Sequence, residues 1–167
     1  GQEAGDNDPV AFTFRHTLSK VKFSIENAYN ASNSTIRVKD IKIIDAYANG
    51  SVVLDANTTW TPGTNNLLLS FGNAGTNNTA TVDNNDQGDA FANGTTLESY
   101  NELFMIPGAS DTDATVENAD KTTTTYTDVY TVKFTVELLV SGQEVKQYEH
   151  TIYTNFAPLP GKSYNLK

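Results

Sequence analysis

Histidines, cysteines and grouped carboxylates are the side chains best suited to chemistry near neutral pH, and this chain is poor in the first two. It has no cysteine, which removes disulfides, thiolate nucleophiles and thiolate metal ligands. A transition-metal site built on its two histidines, His16 and His150, would need carboxylates to complete it. His16 stands between Phe14 and Leu18 at every-other spacing. A histidine in that setting is expected to pack in the core with one hydrogen bond, and no partner constellation for catalysis accompanies it. His150 shares its parity with Tyr148 and Ile152. No nucleophile elbow, phosphate-cradling glycine loop or zinc-protease helix occurs.

One stretch has metal-like spacing. In Asp83–Asp89, DNNDQGD, the residues Asp83, Asn85, Gln87, Gly88 and Asp89 imitate the opening of a calcium loop, with oxygen ligands alternating around a glycine turn. The twelfth position is Gly94, where such a loop needs a bidentate Glu, so the expectation is a solvated Asn/Asp loop with no calcium affinity tighter than about millimolar. Asn30, Asn33, Asn57, Asn77 and Asn93 each open an N-x-S/T triplet, as chance provides in a chain rich in Asn and Thr. The expected catalytic, cofactor and metal residues are therefore none.

The formal net charge of −9 and a pI near 4.5 oppose binding to polyanions, and no basic patch with interleaved aromatics offsets them. Nucleic acid is excluded as an expected partner. No apolar run approaches the roughly 18 residues that a membrane-spanning helix needs, and no signal peptide is visible. Residues 1–9, GQEAGDNDP, read as a flexible segment, and Gly1 without Met as a processed or cloned start.

The elements that must position any site are strands. Phe12, Phe14, His16 and Leu18 alternate on even positions, and Val21, Phe23 and Ile25 on odd ones. Period-two alternation marks a half-buried strand, and the change of phase predicts a bulge or bend at Ser19-Lys20. Ile36 and Val38 give way to Ile41 and Ile43 through a similar switch at Lys39-Asp40. Asn49-Gly50 predicts a tight hairpin turning Ile41–Tyr47 into Ser51–Asp55. Leu67–Phe71 forms a further run after Pro62-Gly63, and residues 73–96 read as a long surface excursion with a short edge hairpin around Thr79–Val82. Leu103–Ile106 reads as a buried strand and residues 109–125 as a polar connection. Tyr130, Val132, Phe134, Val136, Leu138 and Val140 alternate on even positions, and Val145–Thr154 returns antiparallel. Ser163–Leu166 closes the chain. About seven or eight antiparallel strands without helices predict an all-β fold, a Greek-key β-sandwich, over residues 10–167 as one domain.

The order of these motifs resembles the fimbrillin-like family, the pilus subunits of Bacteroides and its relatives. FTFRHTLSKVKFSI is similar to the family's F-x-H-x-L-S-K-V-x-F-x-I signature. IRVKDIKII, NGSVVL, Trp60, FMIPG and PGKSY follow in the family's order across most of Phe12–Tyr164. The resemblance implies a transthyretin-like sandwich, the second domain of a two-domain surface lipoprotein exported to the outer membrane and its fimbriae. It implies other pilus subunits or same-type domains as partners, joined by strand addition, in which an unpaired sheet edge accepts an extended segment. Gly108 stands where the family often has Gln, and the lipoprotein Cys and first domain are missing from these residues. The expectation is an isolated domain, monomeric without its partner, with an open edge or apolar groove near Ser163–Leu166 or beside the Phe12–Ile25 strand.

The leading functional expectation is thus a non-enzymatic structural or adhesive subunit. A carbohydrate- or host-ligand-binding module, with Tyr100 and Tyr126 flanking the loop tips, is the second. A glycosidase with two carboxylates about 5–9.5 Å apart is the third.

Overall fold

The computed structural model describes residues 16–54, 57–76 and 87–167. Every regular element among them is a strand, and the fold is all-β. Thirteen strands among the described residues take the place of the seven or eight expected, because short strands within residues 50–62, 74–75 and 114–126 add to the longer runs.

The first sheet is built on β1 (Ser19–Glu26), whose odd residues Val21 and Phe23 are buried as the alternation predicts. Phe12 and Phe14, and with them the fate of the other phase, lie outside the described residues. On one edge of β1, β8 (Leu103–Met105) pairs with Ser19–Val21 and β7 (Thr96–Ser99) with Ser24–Glu26, so the two act as one strand interrupted between them. β6 (Ala74–Gly75) borders β7. β13 (Ser163–Leu166) takes the opposite edge, along Lys20–Phe23, and runs parallel to β1. That pairing departs from the all-antiparallel expectation.

The second sheet has the order β12 (Gln143–Thr154), β11 (Tyr130–Val140), β2 (Ser34–Ala46), β5 (Leu67–Gly72). The phase switch in β2 is a bulge: its register against β11 shifts between Lys42 and Lys39, and Asp40 takes a left-handed φ of 54°. Asp tolerates that region better than most residues do. The extra residue lets Val38, Ile41 and Ile43 all reach the core despite their opposite parity.

The two sheets share one core. Phe23 of β1 meets Phe71 of β5 edge to face at 4.8 Å, and Val21, Ala74 and Met105 pack in the same cluster as Ile41, Ile43, Tyr130 and Val132. Polar groups inside are paired. The Asp45 carboxylate accepts the Thr131 N–H at 2.9 and 3.0 Å, and Ser99 Oγ accepts the Phe23 N–H at 3.1 Å where β7 gives way.

Four expectations need correction. β3 (Gly50–Val53) pairs with β4 (Thr59–Pro62), not with the strand before it. Asn49 does not close a hairpin; its carbonyl and side chain accept the Gly63 and Thr64 N–H groups. Residues 109–125 are not merely a connection, since β9 (Ala114–Glu117) and the Thr-rich β10 (Thr123–Tyr126) form a hairpin. In β8 only Met105 is buried, while Phe104 points outward at 54% exposure. His16 is exposed and precedes the first strand, so it is not a core residue.

Candidate functional site: an open trough between the sheets

β13 stops pairing at Phe23↔Leu166, while β1 runs on to Glu26. Among the described residues no strand pairs with Ser24–Glu26 on that side. The Lys20 N–H donates to Lys162 O along this edge. Strand alternation then aims the Glu26 N–H and the Ser24 C=O the same way. A row of backbone groups therefore faces outward beside an apolar space.

That space is a cavity of about 380 Å³ between the sheets. Phe23, Ile25 and Leu166 line it from the first sheet, and Val132, Phe134 and Ile152 from the second. Its floor belongs to a face made of directly opposed pairs of β11 and β12, Val132↔Ile152, Phe134↔His150 and Val136↔Tyr148, of which Val132, Ile152 and Phe134 line the cavity itself. Opposed residues in an antiparallel pair share a face, so all six belong to one surface. The floor runs on into a second depression, where Val136, Leu138, Tyr148 and His150 meet Tyr29 and Ile36. Cover is uneven over this face. Val132 is fully buried, Phe134 and Val136 are half-buried, and Ile152 and Tyr148 are 46% and 41% exposed. The Phe134 and His150 rings stack at 5.3 Å with 20° between planes, and Tyr148 lies 6.3 Å from His150. The Lys146 ammonium sits 4.8 Å over the Tyr148 ring.

The opposite face of β11 is charged, with Lys133 exposed on it and Glu137 buried. Glu137 is 1% exposed and forms ion pairs with Lys39 and, at 3.7 Å, with Arg37, its cross-strand partner. Glu137 Oε2 and Arg37 Nε have no hydrogen-bond partner. This cluster anchors β2 to β11.

Two tyrosines tie the loop after β8 to the core: Tyr47 Oη donates to Ala109 O at 2.9 Å and Tyr130 Oη to Gly108 O at 3.0 Å. Burial pushes both phenols above their ordinary range, helped at Tyr47 by the nearby Asp111 carboxylate and at Tyr130 by Tyr47 and Asp45. Asp120, in the turn of the β9–β10 hairpin, is held below the usual carboxylate range by bonds from the Thr122 hydroxyl and N–H. These shifts belong to packing and turns.

The candidate residues read from the sequence do not converge. Asp83 and Asn85 lie outside the described residues. Of the same stretch, Gln87 accepts from Arg37, and Asp89 accepts from the Thr76 N–H and hydroxyl. Among the described residues no three His, Asp or Glu side chains are grouped so as to hold a metal. Tyr100 is a packing residue, buried with its ring over Gly75, where a Cβ would come within 2.4 Å of it. Tyr126 is 40% exposed and stacks on Tyr153 at 5.4 Å.

Of the motifs that gave the family resemblance, SKVKFSI is β1 and borders the trough; PGKSY opens β13, FMIPG is β8 with the loop fixed by Tyr47 and Tyr130, and Trp60 Nε1 donates to Thr17 O at 2.6 Å just before β1. A family model described as fimbrillin-like matches residues 1–167. The chain belongs to the fimbrillin-like family. No curated protein and no solved structure matched it. Membership makes this fimbrillin-like chain a structural subunit of a pilus, associated with other pilus subunits at the outside of the cell. No helix among the described residues is long and apolar enough to cross a membrane.

The trough was only partly readable beforehand. The even-position alternation of Tyr130–Val140 marks a face to be covered, and the parity of Tyr148, His150 and Ile152 marks its continuation. What no spacing reveals is that the first sheet stops short of covering it.

Proposed function

We propose that this chain is a non-enzymatic fimbrial subunit that assembles by strand addition at the outer membrane, and that the trough is its acceptor. The observation that carries the reading is the pairing of an outward-facing β1 edge at Ser24–Glu26 with an apolar floor of Val132, Phe134 and Ile152. A segment from a neighbouring subunit, laid beside β1 past Leu166, would gain backbone hydrogen bonds and bury every second side chain on that floor. Covering apolar surface contributes about 25 cal/mol per Å².

The test uses the full chain and a fluorescein-labelled synthetic peptide of four Thr-Val repeats, followed by anisotropy. Binding is expected. Phe134→Lys should weaken it roughly tenfold or more, because burying one large apolar side chain contributes about 1.5–3 kcal/mol. Phe104→Lys, on the other side of β1, should leave it unchanged. Absence of binding, or equal binding by the Phe134→Lys protein with its cooperative unfolding retained, contradicts the reading.

A further inference from the structure

β5 is the outermost strand of the second sheet on the side away from β12, and among the described residues no strand lies beyond it. An uncovered edge is a template for another strand, and proteins ordinarily blunt it with charge, proline or brevity. The other outer strands of the two main sheets follow that practice. β12 carries Glu144, Lys146 and Glu149, β13 has four residues between Lys162 and Lys167, and β6 and β8 are two and three residues long. β5 does not. It reads Leu67-Leu68-Leu69-Ser70-Phe71-Gly72, and the whole sequence from 56 to 82 contains no Asp, Glu, Lys or Arg.

The edge is apolar as well as unpaired: Leu67 is 39% exposed and Leu68 54%. Leu69 lies opposite Ile43 on the core face, and Leu68 falls on the outer face with Ser70, which lies opposite Lys42. The Phe71 C=O accepts the Asn101 N–H at 3.0 Å and so turns away from β2. Alternation then aims the N–H and C=O of Leu69 and Leu67 outward too. Charged groups around β5 lie behind it or at its ends, among them Asp40 and Lys42 on β2, the buried Asp45, and Asp111, which accepts from the Asn65 amide. None belongs to the strand itself.

We infer that β5 is a joint between two copies of this chain, paired antiparallel about Leu68. With Leu68 opposite its own counterpart, Leu67 and Leu69 of one chain face Leu69 and Leu67 of the other. Those residues carry the outward backbone groups, so each facing pair exchanges both N–H···O=C bonds. Phe71, already engaged by Asn101, stays outside the pairing. The exposed Leu67 and Leu68 of both chains are covered, apolar against apolar. Charge selects a second copy as the occupant. Each chain carries −9, so two copies repel over most of their surface and meet with least repulsion along a stretch that has no charge. A two-fold joint of this kind closes at two copies. The trough lies on β11 and β12, across the sheet from β5, so the joint is independent of strand addition there.

The experiment is sedimentation velocity of the full chain over a series of concentrations. Dilute chain should be monomeric and shift toward twice the monomer mass as concentration rises. Leu68→Lys, at an exposed position, sets two ammonium groups opposite one another at the axis and should abolish the shift with cooperative unfolding retained. Val145→Lys, on the β12 edge, should leave the shift unchanged. The chain has no cysteine, so a single introduced thiol reports the axis directly. Opposed residues that exchange no hydrogen bonds have Cα atoms about 4.5 Å apart, within disulfide reach. Leu68→Cys should therefore give a covalent dimer under mild oxidation, and Ser70→Cys should not. Absence of either the mass shift or the Leu68→Cys cross-link overturns the joint. So does a dimer that survives Leu68→Lys, or growth beyond two copies. None of these results bears on strand addition at the trough.

Discussion

Tyr130 shows how one residue links the core to the loop that frames the fold's end. Its ring is fully buried against Tyr47 and Phe156, and its hydroxyl is committed to Gly108 O. Burial raises its pKa above the unfolded value near 10, so below that pH both states are neutral and the group adds no pH dependence. Above about pH 10 the unfolded chain releases the proton and the folded chain does not. Stability is therefore lost as pH rises toward the folded value. Denaturant midpoints measured from pH 8 to 11 should fall in the last unit. Tyr130→Phe should flatten that fall, at a cost of about 1 kcal/mol at neutral pH from the lost hydrogen bond. An unchanged alkaline limb in the variant would show that Tyr130 does not carry the effect.

Single strands carry the record of what the sequence can and cannot reveal. The bulge in β2 was legible because Val38 and Ile41 are apolar on both sides of a polar Lys39-Asp40 step, and apolar phase is a local signal. The pairing partner of β3 was not: Asn49-Gly50 has the composition of a hairpin turn, but Asn49 bonds instead to Gly63 and Thr64 across the loop. β9 and β10 escaped notice because they bury little and hold together by ladder and hydroxyl contacts. His16 was misplaced because, among the described residues, strand pairing begins only at Ser19, beyond it. The trough needed more than alternation, since Val132 and Val136 look alike in sequence and differ only in what the first sheet covers. That difference is measurable. Val132→Ala should destabilise by about 2 kcal/mol, and Val136→Ala, already half open to water, by less than about 1 kcal/mol. Equal losses in chemical denaturation would mean that the floor is evenly covered in solution.

At the scale of the whole molecule, the two sheets are unequal. The second sheet offers a floor running from Val132 to Leu138, whereas beyond Leu166 the first covers it only with β1 and its antiparallel neighbours. A net charge of −9 brings self-repulsion, which disfavours random association between copies of the chain. Family membership supplies the pilus; on the reading proposed above, the neighbouring strand would sit in the trough. The most direct measurement is residue-resolved amide hydrogen exchange of the full chain with and without the Thr-Val peptide. The Glu26 N–H points into the open edge and should become strongly protected, whereas the Phe23 N–H, already donated to Ser99 Oγ, should change little. Protection that appears along β12 while Glu26 exchanges as before would contradict strand addition at this trough.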